Sequence, residues 1–134
     1  MKRSHGMICG LLLLMVSVAV GCGGTGTLNC SMTGINVSPQ SASTGHTAPS
    51  NVQHFDGFAI TPAGCNSVAI TAARLTNITW STSDPVRVSI SNVQDATYGN
   101  ATCNSATSGA VTITATAPNG NGSSVTGTAS LTCL

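Results

Sequence analysis

Three residues in the first half of the chain could do ligand chemistry. His54 and Asp56 are separated by one residue, so on an extended strand both side chains leave the same face. Together with His46 they would form two imidazoles and a carboxylate, a donor set that transition metals accept. The spacing follows no metal motif, and neither metal nor cofactor is expected. Asp56, Asp84 and Asp95 are the only acids. Asp84 precedes Pro85 and Asp95 lies in a turn-like stretch, so both are expected to shape turns. That leaves no pair of carboxyls for glycoside hydrolysis. Serine and threonine abound, but neither a G-x-S-x-G elbow nor an S-x-x-K motif occurs. A serine nucleophile also needs an adjacent base. The catalytic set is therefore empty, and the chain is not expected to be an enzyme.

The six cysteines offer a different chemistry. No two of them form a C-x-x-C pair, the close spacing that four-cysteine zinc sites use. Cys9 lies within an apolar run, and Cys22 stands just past it. Cys30, Cys65, Cys103 and Cys133 remain, an even number that favours two disulfides in an exported chain. Four cysteines allow three connectivities.

Export is what the N-terminal sequence implies. Lys2 and Arg3 precede the apolar run Met7–Val20, which has Leu11–Leu14 at its centre and ends at the small residue Gly21. A basic head, a short apolar run and a small residue at the cut describe a secretory signal. A spanning helix needs about 20 apolar residues, more than this run supplies. Ala19-Val20-Gly21-Cys22 resembles a bacterial lipobox, in which the cysteine after the cut receives lipid. The expected organisation is a lipoprotein signal peptide over 1–21, a flexible Gly/Thr-rich tether over 22–29 and one folded domain over 30–134. Gly23, in place of Asp after the cysteine, resembles outer-membrane sorting in Gram-negative cells. Lipid on Cys22 would make the membrane the first partner.

Past the signal, the charges are Arg74 and Arg87 against the three aspartates. Phosphate neutralisation by clustered Lys and Arg is missing, so no nucleic-acid partner is expected.

The domain reads as all-β. Apolar and polar residues alternate at Ile35/Val37, Phe58/Ile60, Val68/Ile70, Ile78/Trp80, Val86/Val88/Ile90, Val111/Ile113/Ala115 and Val125/Gly127/Ala129/Leu131. Period two puts each set on one face, which must be buried, and its Thr- and Ser-rich partners on the other. Pro, Gly, Asn and Asp punctuate these runs at Ser38-Pro39, Thr61–Gly64, Ser83–Pro85 and Ala117–Gly122. The last of these is expected to close a hairpin. About seven short antiparallel strands in some 100 residues indicate a β-sandwich, with a small closed barrel as the alternative.

"INVSPQSAST", "NITWSTSDP" and "GAVTITATAPNGNGSSVTGTASLTC" give that sandwich a family likeness. Spanning Ile35 to Cys133, they resemble a bacterial immunoglobulin-like domain of the group-two type. The stretch "HTAPSNVQHFDGFAI" follows the family's second strand only loosely. The four cysteines are additions to the family pattern. The resemblance implies an immunoglobulin-like β-sandwich with Trp80 in its core. It also implies a pairing of Cys30 with Cys65 and of Cys103 with Cys133, each pair at one pole of the sandwich. Family members commonly serve as spacers or binding units of surface proteins. The expected function is thus a non-enzymatic cell-envelope lipoprotein, structural or adhesive, with a protein or glycan partner at the cell surface. The alternative is a carbohydrate-binding module, for which Tyr98 and Phe55 are the candidate sugar platforms.

Overall fold

The computed structural model describes residues 30–63, 65 and 74–134. Among them every regular element is a strand: β1 Gly34–Ser38, β2 Ser41–Thr44, β3 Val52–His54, β4 Asp56–Ile60, β5 Thr79–Thr82, β6 Val88–Ile90, β7 Asn100–Cys103, β8 Val111–Pro118 and β9 Ser124–Cys133. They form three sheets, ordered β1-β4, β2-β9-β8-β5 and β3-β7-β6. All pairings are antiparallel except β2 with β9, which is parallel.

Sequence period translates most directly into structure at β8 and β9. Val111, Ile113, Ala115 and Ala117 are buried in turn along β8, and the threonines between them are exposed or half-buried. On β9, Ala129, Leu131 and Cys133 are buried. The two strands pair from Val111↔Leu131 to Pro118↔Ser124, which makes the expected hairpin. Its loop uses the chemistry the sequence supplies. Gly120 and Gly122 take positive φ of 90° and 83°, and Asn119 Oδ1 accepts the Asn121 N–H at 2.9 Å.

Inward side chains of all three sheets meet in one core. Ile35, Val37, Phe55, Trp80, Val88, Ile113 and Leu131 all belong to it. Phe55 is the sole residue between β3 and β4. It is fully buried, and its N–H donates to Gly99 O at 2.9 Å.

Four expectations need correction or fall outside the description. First, β4 faces the other way. Gly57 and Ala59 point inward opposite Val37 and Ile35, while Phe58 is half-buried and Ile60 is exposed. A side chain at Gly57 would collide with Ile78 Cδ1, so that space is filled by a residue from elsewhere in the fold and the larger residues turn outward. Second, Val86 is exposed within a turn, and β6 begins only at Val88. Third, β2, β3 and β7 are strands that the alternation did not mark. Fourth, Val68 and Ile70 lie outside the described residues, as do Cys22 and the expected signal and tether.

Candidate functional site

His54 on β3, Asp56 on β4, Asn100 on β7 and Arg74 form a polar cluster. His54 lies opposite Asn100 across the β3–β7 ladder. His54 Nδ1 and Asn100 Oδ1 are 2.7 Å apart. On the other side of the ring, His54 Nε2 lies 3.1 Å from Asp56 Oδ1 and 3.0 Å from Arg74 Nη2. Arg74 also pairs with Asp56 through its Nε. Nε2 thus faces both Arg74, which can only donate, and the Asp56 carboxylate, which can only accept. Both ring nitrogens are engaged, and the charges of Arg74 and Asp56 offset each other. The arrangement orients the imidazole through contacts at both ring nitrogens.

His54 and Asp56 therefore do share one face, as their spacing implied. His46 does not join them. Its Nδ1 meets the Leu134 carbonyl beside the last strand. Among the described residues no group of three His, Cys, Asp or Glu side chains is placed to hold a metal ion.

Beside the cluster, Val52, Ser89, Ser91, Thr97, Asn100 and Thr102 line an open groove of about 440 Å³. Its polar groups are hydroxyls and one amide, with no charged side chain. Ser91 and Thr97 share a hydrogen bond of 2.9 Å across it. Such a lining can hold a neutral polar group by hydrogen bonds alone.

Neither candidate sugar platform is available. Phe55 is fully buried and Tyr98 is only 6% exposed. Tyr98 stands edge-on to Trp80, with ring centroids 6.5 Å apart at 68°, and its hydroxyl donates to the Ile78 carbonyl. Trp80 itself is buried, as the alternation required. All three aromatics serve the core.

Asp84 and Asp95 shape turns. Asp84 accepts from the Arg87 side chain at 2.8 Å and from its backbone N–H at 3.1 Å. Those bonds to Arg87, the side-chain one foremost, hold the Asp84 carboxyl below its ordinary pKa. Asp95 accepts from the Thr97 hydroxyl at 2.6 Å and from its N–H at 2.7 Å, with the same downward effect.

The four cysteines are joined as Cys30–Cys65 and Cys103–Cys133, with Cα–Cα distances of 5.4 and 5.8 Å. This connectivity coincides with the one implied by the family likeness. The first bridge joins the segment before β1 to the segment after β4. The second joins the end of β7 to the end of β9, and so ties two sheets together. Two disulfides in an all-β domain suggest an extracytoplasmic protein. Among the described residues no helix is long and apolar enough to cross a membrane.

Arg74 and Asn100 take part in this cluster, and Asn92 bonds the Trp80 backbone, without having been marked by the sequence. Their partners are distant in the chain, and nothing in their local spacing identifies them. In comparisons with known proteins, no family model and no curated protein matches the chain.

Proposed function

We propose that this chain is a non-enzymatic structural or adhesive module of the cell envelope, with an immunoglobulin-like fold, held to a membrane by lipid on Cys22. The observation that carries the reading is the pair of disulfides closing an all-β domain just downstream of Gly21-Cys22. Disulfides persist in the compartments to which a lipoprotein signal delivers a chain. Gly23 favours the outer membrane as the destination.

The strand pairings support the fold. Counting β3 and β4 as one strand interrupted at Phe55 gives the order β1, β3/β4, β7, β6 in one layer. The other layer is β2-β9-β8-β5. The first strand then contributes to both layers, β1 to one and β2 to the other. Seven strands in this order, around a buried Trp, support the immunoglobulin-like sandwich reading. The chemistry agrees with a non-catalytic role. His54 and Asp56 are in contact with each other, His46 meets the Leu134 carbonyl, Asp84 and Asp95 hold turns through Arg87 and Thr97, and Phe55, Trp80 and Tyr98 fill the core.

Metabolic labelling with a palmitate analogue tests the anchor. The expected result is a labelled, membrane-associated protein that becomes unlabelled and soluble on Cys22→Ser, with the uncut precursor accumulating under globomycin. A Cys22→Ser protein that stays labelled or membrane-bound overturns the reading.

A further inference from the structure

We infer that the two disulfides make the domain a spacer of limited extension, a property that rests on the proposed structural role. The inference follows from where the bridges fall along the chain. Cys30 precedes the first strand and Cys133 closes the last. Between them the bridges span separations of 35 and 30 residues. The first loop encloses β1, β2, β3 and β4; the second encloses β8 and β9.

Tension applied through the chain at these two points bypasses both loops. It passes from Cys30 across the sulfurs to Cys65, runs along the backbone to Cys103, and crosses again to Cys133. Only the stretch from Cys65 to Cys103 can be drawn out. That stretch of roughly 38 residues contributes about 130 Å of contour at about 3.3–3.6 Å per residue. Without the bridges, the roughly 103 residues from Cys30 to Cys133 would contribute about 350 Å.

In the folded domain the closed loops are also clipped to each other, and this clip has to part before the stretch from Cys65 to Cys103 can be drawn out. β2 of the first pairs with β9 of the second, from Ser41↔Ser130 to Thr44↔Cys133. Backbone bonds extend that clip on both sides, from Ser130 N to Gln40 O and from Leu134 N to Thr44 O, each 2.9 Å. The segment able to extend contains β5, β6 and β7, whose strands are only three or four residues long. The longest pairing, β8 with β9, lies inside a bridge.

Single-molecule force spectroscopy tests this on the full mature chain, with handles placed before Cys30 and after Leu134. Fully drawn out, the oxidised protein is expected to reach a contour of about 130 Å between Cys30 and Cys133, and a sample treated with a phosphine reductant about 2.7 times as much. Cys30→Ser/Cys65→Ser should add about 120 Å and Cys103→Ser/Cys133→Ser about 100 Å. Equal lengths before and after reduction overturn the inference, as does a double variant that adds nothing. Loss of the lipid anchor in the labelling experiment would leave these lengths unchanged, so the two readings fail separately.

Discussion

Asn92 completes the backbone of Trp80 as a neighbouring strand would. The Trp80 N–H donates to Asn92 Oδ1 at 2.6 Å, and Asn92 Nδ2 donates to the Trp80 carbonyl at 3.0 Å. β5 is the end strand of β2-β9-β8-β5, so these two groups would otherwise be left without a ladder partner. An open edge of this kind can recruit another chain, and a carboxamide set against it closes the edge at its most buried residue.

Asn92→Ala removes both bonds and exposes the edge beside the core. The expected loss is about 1–3 kcal/mol, read as a lower urea midpoint with an unchanged slope. Gln94→Ala, on an exposed residue two positions away, should stay within about 0.5 kcal/mol. A silent Asn92→Ala would show that water replaces the amide at no cost.

Gly127 marks where β1 crosses β9. A Cβ there would fall on the carbonyl oxygen of Ile35, and the carbonyl carbon lies close behind it. Backbone cannot swing aside as a long side chain can, so Gly127→Ala is expected to cost about 1–3 kcal/mol or more. Gly109 has nothing within 4 Å of a built Cβ, so Gly109→Ala is the matched control and should leave thermal stability nearly unchanged. Equal melting temperatures for the two variants would contradict the close crossing.

The legible parts of this fold are those where one strand carries enough alternation to declare both its faces. β8 and β9 do so over eight and ten residues, and the Asn-Gly loop between them declares its own turn. β7 is illegible because its inward residues are Ala101 and Cys103, too small and too few to set a period. β4 misleads because its inward positions are Gly57 and Ala59, while Phe58 and Ile60 carry the hydrophobicity outward. There the neighbouring Ile78 and Ile35 decide the facing, and no window of β4 itself contains that information. The site shows the same division. The i, i+2 spacing placed His54 beside Asp56, whereas Arg74 and Asn100 reach them only through tertiary structure.

Acid should weaken the domain through two surface turns. The Asp84 and Asp95 carboxyls have lowered pKa values in the folded protein, through bonds from Arg87 and Thr97 respectively. A folded pKa below the unfolded one gives stability that is complete above the ordinary carboxylate range and is lost as pH falls through the folded values. Urea midpoints should therefore hold from about pH 7 down to about pH 5 and decline below about pH 4. The decline should be shallow, since both carboxyls are screened by solvent. Asp84→Asn combined with Asp95→Asn should flatten it. A decline of the same steepness in that double variant would overturn the assignment of the acid sensitivity to these two turns.

The two bridges should differ in what they contribute to stability, in the opposite order to their loop lengths. Chain entropy alone gives loops of 35 and 30 residues nearly equal effects, about 3.5–4 kcal/mol each. Burial separates them. Cys103 and Cys133 are 0% and 1% exposed within the core, while Cys30 lies at the surface and only Cys65 is covered. Replacing Cys103 and Cys133 with alanine removes the cross-link and also leaves space where two sulfurs packed, for which about 1 kcal/mol more is expected. Cys30→Ala/Cys65→Ala loses mainly the cross-link. Urea unfolding of the two double variants should rank the Cys103–Cys133 pair as the costlier loss. Removal of all four cysteines should cost about 8–9 kcal/mol, comparable to the whole stability of about 5–15 kcal/mol that a small domain has. The opposite ranking would mean that the bridge before β1 restrains more of the fold than its exposed position indicates.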